Sequence, residues 1–524
     1  HHPRNQNTGK TPDVVRAELF TNRFSSIAEE MGRLLERTAL STNVKERLDF
    51  SCTLLNEAGE LLVNAPHMPV HLGAMGLCVR SVRQAIEMKP GDVVVTNHPR
   101  NGGSHLPDIT VITPVFDSDD QLLGYTASRA HHAEMGGTRT GSMPPDAKTL
   151  AEEGVVIEPR YLIEGGESRF EAMRELLEQG AHPSRSVADN LADLRAQVAA
   201  NHRGAQSLKT LVDQFGSATI HEQMLALRNR AERLARQALM RLPDGVYEAI
   251  EYLADGAPWV VAITNKGDQA TFDFQGTGDV HPGNLNATPA IVTSAVIYIL
   301  RLMIGERLPL NEGIMQAVEL RIPRGCLLNP EFSDEPEQCP AVVGGNVETS
   351  QRLVGLLLKA LKLCASAQGT MNNVLFGNET YGYYETVCGG AGAGAKFKGA
   401  DAVHTHMTNT RITDPEIIEH RYPVRLHQFA IRRGSGGDGL FPGGDGVIRE
   451  IEFLESMSLS VLSQHRKFGP FGLEGGSAGS PGRSIVERQG GETIELDSVD
   501  GCEVNAGDRF ILETPGGGGF GSAE

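Results

Sequence analysis

Apolar and polar positions follow two different periods along the chain, and the change between them divides it. From Asp13 to about Ser41, apolar residues recur every three or four positions, which predicts an amphipathic helix. The same helical spacing dominates from Glu171 to Leu242. After Pro243-Asp244-Gly245 the pattern changes to short β segments. We therefore expect two regions with a soft boundary, residues 1–243 and residues 244–524.

A hairpin is predicted in the N-terminal region. Three apolar segments there have the length and composition of strands: Val93–Thr96, Ile109–Phe116 and Leu122–Ala130. The acidic stretch Asp117–Asp120 is typical of a turn, so the second and third strands should pair. The third strand runs into His131, and the loop before the second strand carries His105 and Asp108. Pairing would bring these three side chains to one end of the hairpin.

Further periodic segments complete the predicted outline. Strands or hairpins are expected at Leu48–Cys52, Leu54–Val63, Val246–Leu253, Trp259–Thr264, Ala270–Phe274, Val424–Ile431, Val447–Phe453 and Ser458–Leu462, and helices at Val79–Met88, Ile291–Ile304 and Glu348–Cys364. Glycine supplies 60 of the 524 residues, above the usual share of about 7%, and its dense runs after residue 385 predict tight turns between strands. The pattern favours an α+β fold of large mixed architecture, with a helix-rich middle and a glycine-rich, β-dominated C-terminal half.

Charge and composition exclude several classes of function. Acidic residues outnumber basic ones by 66 to 48, giving a formal charge of -18 that disfavours binding to nucleic acid phosphates. The apolar stretch Ala290–Ile304 is too short and too polar to span a bilayer, and no secretion signal is recognisable. The seven cysteines are scattered without a C-x-x-C pair, which favours a reduced, cytoplasmic location over a disulfide framework or a thiolate zinc site.

Histidine and carboxylate residues around the hairpin are candidates for a metal site. Imidazole and carboxylate groups on adjacent loops can hold a divalent cation, and Pro107 places His105 and Asp108 on a loop rather than a helix face. The alternative is a hydrogen-bonded polar cluster at strand ends. Asp49 lies between apolar neighbours, and a buried carboxylate needs a cation or strong donors. Alternatively, Asp49 could form a salt bridge with Arg47.

Other polar residues are candidates for contact with a substrate. His67 and His71 flank Pro69, so they are expected on a turn, either facing a substrate or as a structural pair. The glycine-bearing loops Arg100–Ser104 and Gly136–Asp146 are expected to rim the site. Their arginines, Arg100 and Arg139, could bind a phosphate, although ordinary solvated arginines are the alternative.

Two motifs of the C-terminal region carry weaker signals. His404-Thr-His406 could hold a metal, but alternate residues on one strand face are as often structural. Gly344-Gly345-Asn346 precedes a predicted helix and could cradle an anion, although it lacks the lysine and spacing of a P-loop. Neither motif decides the chemistry alone.

Many dissimilar motifs, in one order, resemble a known family. They include ERLDFSCTLLNEAGELL, NHPRNGGSHLPDITVITPVF, SRAHHAEMGG, GSMPPDAKTLAEEGVVI, CPAVVGGNVETS, HTHMTNT, SGGDGLFPGGDGVIRE and TPGGGGFG. Together they are similar to the B-type subunit of the hydantoinase B/oxoprolinase family, over nearly the whole chain. The family is similar in sequence across several cyclic amides and some ketones, so the resemblance leaves the substrate open.

The resemblance implies a set of site residues. The metal ligands it implies are Asp49, His105, Asp108 and His131, holding zinc foremost, with manganese or iron as alternatives. The predicted catalytic residues are His71 and Glu134, and the predicted substrate-binding residues are His67, Arg100 and Arg139. Where family members often read H-x-x-D, this chain has His131-His-Ala-Glu134, and the longer side chain is a reason not to place Glu134 among the metal ligands.

The resemblance also implies an ATP-dependent reaction shared with a partner. Amide resonance makes an unstrained cyclic amide a poor electrophile. In the implied solution, an A-type subunit binds ATP and phosphorylates the amide oxygen, and the B-type subunit opens the activated ring of a hydantoin, N-methylhydantoin, 5-oxoproline or other lactam. The chain has no recognisable nucleotide-binding loop, so we expect a hetero-oligomer, a heterotetramer or larger. The alternatives are the large subunit of an acetone-carboxylase-like enzyme, disfavoured because those chains are longer, and a non-catalytic structural subunit.

Overall fold

Helices and strands are both numerous, and the strands form several sheets, which makes the fold α+β as predicted. The computed structural model describes residues 13–65, 68–307, 309 and 311–523. The α-helices in these ranges are α1 (Asp13–Thr38), α2 (Thr42–Lys45), α3 (Ala74–Ala85), α4 (Leu150–Glu153), α5 (Phe170–Glu178), α6 (Val187–Phe215), α7 (Ser217–Arg241), α8 (Pro289–Ile304), α9 (Ser350–Leu361) and α10 (Pro415–Arg421). Short 3-10 helices lie at Pro69–His71, Pro99–Asn101, Glu312–Ala317 and Pro336–Gln338, and a π-helical turn, Gly345–Thr349, leads into α9.

The strands in these ranges include the predicted segments and others that the sequence patterns did not indicate. They are β1 (Phe50–Asn56), β2 (Leu61–Ala65), β3 (Val93–Thr96), β4 (Asp108–Phe116), β5 (Leu122–His131), β6 (Arg160–Glu164), β7 (Glu167–Ser168), β8 (Gly245–Tyr252), β9 (Pro258–Lys266), β10 (Gln269–Asp273), β11 (Val318–Arg321), β12 (Asn373–Asn378), β13 (Tyr381–Glu385), β14 (Val424–Arg432), β15 (Gly446–Phe453), β16 (Met457–Leu462), β17 (Arg483–Glu487), β18 (Thr493–Leu496), β19 (Val499–Val504) and β20 (Arg509–Glu513). The hairpin predicted at Leu54–Val63 and the strand predicted at Leu122–Ala130 are confirmed, whereas the strand expected from Leu48 begins only at Phe50.

The strands are distributed over four sheets. A seven-stranded sheet has the order β2-β1-β5-β4-β3-β6-β7, and a four-stranded sheet has the order β11-β10-β9-β8. The C-terminal half contributes a four-stranded sheet, β13-β12-β16-β19, and a five-stranded sheet, β14-β15-β20-β17-β18. Neighbouring strands in these sheets run antiparallel, except that β10 and β11 run parallel. The predicted β-dominated C-terminal half is therefore confirmed.

Helices cover both faces of the seven-stranded sheet. Successive strand residues point to opposite faces, so Val93 and Val95 pack in a cluster with residues of α5 and α6, while Val94 packs in a different cluster with residues of α3. Burial on both faces of the sheet explains why these strands appear in the sequence as continuous apolar runs. Because both faces are covered, polar side chains at the end of the β4–β5 hairpin are also enclosed.

Close backbone contact, rather than tight turns, explains much of the glycine in the C-terminal half. The segment Gly516–Gly519 runs between other glycine-rich segments and exchanges backbone hydrogen bonds with them, such as Gly517 N–H to the Gly444 carbonyl at 2.9 Å. A Cβ at Gly516 would meet the backbone oxygen of Ser435, and one at Gly517 would meet that of Ala391. The prediction of turns at this run was wrong because local sequence does not reveal how closely distant backbones approach.

Apolar packing extends across the predicted division at residue 243. One core cluster joins Phe20 of α1, Ala231 of α7, Trp259 of β9 and Ile291 of α8. The division into residues 1–243 and 244–524 stays a prediction about chain organisation. Among the described helices, none combines the length and apolar character needed to cross a membrane. The seven cysteines all lie in described residues and form no disulfide.

Candidate metal centre

The β4–β5 hairpin places the predicted ligands at one end of the sheet. Asp108 opens β4 and lies directly opposite His131, the last residue of β5. His105 stands in the loop before β4, where its carbonyl accepts from the Asp108 N–H at 3.1 Å. Asp49 immediately precedes β1, and its carbonyl accepts from the His131 N–H at 3.0 Å. Strand pairing thus collects residues from three separate segments.

Five buried side chains meet at this end of the sheet, and we call them the His–Asp cluster: Asp49, His71, His105, Asp108 and His131. The Asp108 Oδ2 lies 3.1 Å from His105 Nε2 and 3.5 Å from His71 Nε2. The His131 Nδ1 lies 3.6 Å from both Asp108 Oδ1 and Asp49 Oδ2. None of the five is more than 6% exposed. The structure therefore brings together the four predicted ligands and adds His71.

The residues present fit a divalent metal ion. Ligand atoms of His105, Asp108 and His131 lie within 4.8 Å of one another, the one such set of three among the described residues. Within that part of the chain, His105 Nδ1, Asp108 Oδ1 and His131 Nε2 have no hydrogen-bond partner although they are buried. Buried polar atoms normally have partners, and a cation bound beside Asp108 would supply one for its Oδ1. Nitrogen and oxygen ligands suit zinc, manganese or iron.

The protonation states of Asp108 and His131 are those that metal ligands need. Burial raises the pKa of Asp108, but charge interactions and hydrogen bonds with His105 and His71 outweigh it and hold that pKa well below its usual value. Burial, assisted by the nearby His105, lowers the pKa of His131 well below its usual value. Asp108 is therefore a carboxylate and His131 a neutral imidazole, as metal binding requires. Burial raises the pKa of Asp49, against the influence of Arg47.

Neighbouring side chains orient the cluster. The Ser51 hydroxyl lies 2.9 Å from His71 Nδ1, and the Ser104 hydroxyl donates to Asp108 Oδ2 at 3.2 Å. The ring of Tyr384 stacks on His131 with centroids 4.6 Å apart. Groups that orient ligands in this way usually matter for metal affinity.

Arg47 bonds to groups other than Asp49, the salt-bridge partner considered for it from the sequence. Its guanidinium is fully buried and donates to the Tyr384 carbonyl at 2.9 Å, to Asn43 at 3.1 Å and to Thr386 at 3.0 Å. It also stacks 4.7 Å from the centroid of the Tyr384 ring. Arg47 thus fixes the aromatic wall behind His131, and the carboxylate of Asp49 faces His131.

Glu134 is held by its own loop. Its Oε1 accepts from Arg185 at 2.8 Å and from the Gly136 N–H at 2.7 Å, and its Oε2 accepts from the Gly141 N–H at 2.9 Å. These bonds satisfy the buried carboxylate, which thereby anchors the loop Gly136–Asp146. The catalytic role suggested for Glu134 stays a prediction that its contacts do not favour.

Two of the predicted substrate-binding residues form ion pairs, and the third lies outside the described ranges. Arg100 pairs with Asp334 at 2.9 Å and Glu158 at 3.3 Å, and Arg139 pairs with Asp146 at 3.7 Å. Both arginines are partly exposed, so a phosphate would have to replace these partners. His67 lies outside the described residues.

Two residues that the ligand predictions did not include also border the cluster. Asn346, in the π-helical turn, lies with Nδ2 3.1 Å from His105 Nε2, and Tyr384 of β13 covers His131. The Gly-Gly-Asn motif was the one signal for Asn346, and it suggested an anion cradle instead.

His404 and His406, considered as metal ligands from the sequence, are both half-buried. Burial lowers the pKa of each imidazole to about 4. The Tyr298 hydroxyl lies 3.0 Å from His406 Nδ1, so the structural alternative fits that residue.

Known proteins are similar to this chain over nearly its whole length. The family model of hydantoinase B/oxoprolinase matches residues 13–523. The 5-oxoprolinase 1 of Arabidopsis thaliana is 46% identical over 97% of the chain, which covers 42% of that protein. A putative D-/L-hydantoinase B-type subunit from a Pseudomonas species is 28% identical over 98% of the chain and 90% of its own length. The chain spans about two fifths of the length of the first curated relatives that it matches.

Solved structures share the fold. The ATP-dependent caprolactamase of Pseudomonas jessenii superimposes with a TM-score of 0.87 at 25% identity, over 98% of this chain and 92% of that one. A nucleotide-free acetone carboxylase superimposes with a TM-score of 0.86 at 18% identity, over 98% of this chain and 76% of that one, which is a likeness of fold alone. With the family model matching nearly every described residue, the chain belongs to the hydantoinase B/oxoprolinase family.

Proposed function

We propose that this chain performs the ring-opening half of an ATP-dependent cyclic amide hydrolase. The substrate would be a hydantoin, 5-oxoproline or a related lactam whose amide oxygen has been phosphorylated with ATP. The observation that carries the proposal is the enclosed His–Asp cluster, in which ligand atoms of His105, Asp108 and His131 lie within 4.8 Å of one another. The names of the relatives, a 5-oxoprolinase and a caprolactamase, support the substrate class.

The His–Asp cluster would hold the metal through Asp49, His105, Asp108 and His131. A divalent ion bound there would lower the pKa of a bound water and polarise a carbonyl oxygen. His71 is the remaining member of the cluster, and the Ser51 hydroxyl at its Nδ1 fixes the orientation of the ring. Its Nε2 faces Asp108, a position from which it can take a proton from a water molecule in the cluster. Tyr384 excludes bulk water on the His131 side.

ATP would be needed because the carbonyl carbon of an unactivated amide is a poor electrophile. Resonance stabilises an amide C–N bond, and phosphorylation of the oxygen removes that stabilisation before water attacks. The sequence has no recognisable phosphate-binding loop, so the phosphorylating site is proposed on an A-type subunit or region. The Pseudomonas relative, named as one subunit of a hydantoinase, supports this division of labour. Arg100 and Arg139 remain the proposed contacts for the phosphate.

Two alternatives remain distinguishable by assay. An acetone-carboxylase-like enzyme would phosphorylate a ketone and join it to carbon dioxide or bicarbonate, and the shared fold is what favours it. A non-catalytic subunit would keep the ligands only to stabilise the fold. The first would consume ATP with acetone and bicarbonate, and the second would leave turnover unchanged after loss of the metal.

The test is turnover by the complex that contains this chain, purified from its native host through an affinity tag. ATP consumption and product are measured with hydantoin, 5-oxoproline, caprolactam, and acetone plus bicarbonate. We expect ring opening of at least one cyclic amide, lost after chelation and regained after readdition of zinc, manganese or iron. The proposal would be contradicted if acetone plus bicarbonate were turned over and none of the cyclic amides were. Ring opening that survives removal of all bound metal would also contradict it.

A further inference from the structure

A second buried carboxyl group borders the His–Asp cluster. Glu348 lies in the π-helical turn Gly345–Thr349 and is fully buried. Its Oε1 accepts from the Asn373 side-chain amide at 2.5 Å and from the Met371 N–H at 3.2 Å. Its Oε2 has no hydrogen-bond partner in the part of the chain that the structure describes. One oxygen is therefore fixed while the other is available to a bound molecule.

Two chains of contacts tie Glu348 to the cluster. In the first, the Tyr384 hydroxyl donates to Asn373 Oδ1 at 2.7 Å, and the Tyr384 ring stacks on His131. In the second, Asn346 of the same π-helical turn contacts His105 at 3.1 Å. The turn thus borders the His–Asp cluster, and we call it the wall of the proposed site. Insertions of π-helical geometry of this kind are frequent at functional sites.

The same wall carries further buried polar atoms without partners among the described residues. Asn346 Oδ1 is one, and Gln351 Oε1, three positions after Glu348, is another. The Gln351 amide donates to the Thr405 carbonyl at 2.8 Å, and the Thr405 hydroxyl is itself unpartnered within those ranges. Unsatisfied buried groups beside a proposed reactive centre are what a small polar ligand would satisfy.

The protonation state of Glu348 suits an acid. Burial raises the pKa of Glu348 to about 8, against the lowering influence of Thr370, Met371 and the two arginines Arg466 and Arg352. At neutral pH the carboxyl therefore carries a proton. Burial alone does not mark a catalytic group: Glu153 is equally buried and its pKa is also raised to about 8. Both Glu153 oxygens, however, accept backbone N–H groups, from Val342 and Val343.

We propose that Glu348 is the catalytic acid that gives its proton to the ring nitrogen as the C–N bond of the cyclic amide breaks. This inference rests on the proposed function, and it adds a residue that the family resemblance did not suggest. Its basis is the free, buried Oε2 on a wall that contacts His105 and, through Asn373 and Tyr384, His131.

The step balances with two waters. The first water adds across the activated carbon–nitrogen double bond: its oxygen bonds to carbon and one proton goes to nitrogen. The C–N single bond then breaks, its electron pair leaves with nitrogen, and nitrogen takes a proton from Glu348. The added hydroxyl loses its proton to solvent and becomes the carbonyl of an acyl phosphate. The second water hydrolyses that acyl phosphate to carboxylate and phosphate, and the proton released restores Glu348.

Protonation of nitrogen decides which bond of the adduct breaks. Without a proton, the amine is a poor leaving group, and the adduct instead expels phosphate. That route regenerates the cyclic amide and wastes one ATP. An acid at this position therefore couples ATP consumption to ring opening, and its loss should separate the two quantities.

The test compares Glu348→Gln and Glu348→Asp with Glu153→Gln in the tagged complex from the native host. General acid catalysis contributes about 10²–10⁴-fold. We expect Glu348→Gln to lose ring opening of the preferred cyclic amide by at least about 100-fold while ATP hydrolysis continues. Glu348→Asp should recover part of the ring opening. Glu153→Gln should keep wild-type coupling and show a lower midpoint of thermal unfolding.

The controls separate this inference from the proposed function. Metal content and thermal unfolding of Glu348→Gln show whether the site remains assembled. Coupled ring opening in Glu348→Gln, or equal loss of ATP hydrolysis and ring opening in a folded, metal-loaded variant, would overturn the role of Glu348 and leave the proposed function standing. A wild-type complex that opens none of the rings would instead overturn the proposed function, and this inference with it.

Discussion

Asp108 is the residue that the rest of the His–Asp cluster surrounds. Three histidines approach its carboxylate, at 3.1, 3.5 and 3.6 Å, and its Oδ1 has no hydrogen-bond partner within the described ranges. A carboxylate that remains ionised at this depth needs positive charge nearby. A metal ion would supply that charge.

We predict that Asp108→Ala loses metal and activity together. Groups that merely orient a ligand contribute about 10–100-fold to metal affinity, so removal of a ligand should weaken binding by more than about 100-fold. Bound metal is measured by elemental analysis and by titration calorimetry. The matched control is Asp193→Asn, another buried aspartate, whose carboxylate accepts from the Leu40 N–H at 2.7 Å. Metal retained in Asp108→Ala, with full turnover, would remove Asp108 from the centre.

Glu153 gives a prediction of stability against pH. Burial raises the pKa of Glu153 to about 8 from an ordinary 4.5, so between these values the folded chain binds a proton that the unfolded chain releases. The stabilising contribution is therefore fully present below pH 4.5 and is lost as the pH rises through about 8. From pH 6 to pH 8, wild type should lose roughly 2 kcal/mol more of its free energy of unfolding than Glu153→Gln does. Urea unfolding at both pH values measures this, and parallel changes in the two proteins would contradict it.

At the scale of elements, the π-helical turn before α9 needs its glycine. A Cβ at Gly345 would meet the backbone oxygen of Asn286, whereas a Cβ at Gly355, in the middle of α9, would come only within 3.9 Å of the Ser366 hydroxyl. The turn carries Asn346 and Glu348, so its displacement would disturb the wall beside the metal centre.

We predict opposite effects for alanine at these two positions. Gly345→Ala should be destabilised and should lose turnover, because backbone on both sides of the contact must shift. Gly355→Ala should be neutral or more stable, by up to about 1 kcal/mol, because alanine is the better helix former. Thermal unfolding and ring opening by the complex are the measurements. Equal stability of the two variants would mean that the turn tolerates displacement.

Local rules predicted the hairpin but not the wall opposite it. The turn at Asp117–Asp120 and the alternation in β4 and β5 are local signals, and they placed His131 beside Asp108 correctly. Asn346 reaches His105 across 241 positions of sequence, and no periodic pattern encodes such a contact. The same limit applies to the glycine runs, because the backbone that Gly517 contacts, at Gly444, is distant in sequence. Resemblance to a family supplied Asp49 as a ligand, where the local pattern had left it open.

At the scale of the whole molecule, the site is enclosed by parts of the chain that are distant in sequence. The seven-stranded sheet and the loops beside it supply Asp49, His105, Asp108 and His131. The 3-10 helix Pro69–His71 supplies His71, and the C-terminal half supplies Tyr384 and the π-helical turn. Residues of both halves pack in one apolar cluster around it. The proposed ring opening and metal binding would therefore depend on the assembled chain rather than on its N-terminal region alone.

The last prediction concerns what the chain does by itself. It spans about two fifths of the curated 5-oxoprolinases that it matches, and its sequence holds no recognisable phosphate-binding loop. We expect the purified chain to bind a divalent metal while neither hydrolysing ATP nor opening 5-oxoproline, hydantoin or caprolactam, because an unactivated amide keeps its resonance stabilisation. Addition of the ATP-binding partner isolated with it should restore both activities together. Metal content, phosphate release and ring opening are measured on the same preparations, with Asp108→Ala plus partner as the control for metal-dependent turnover. Ring opening by the pure chain with ATP would place the phosphorylating site on this chain, and ring opening without ATP would show that the amide needs no activation.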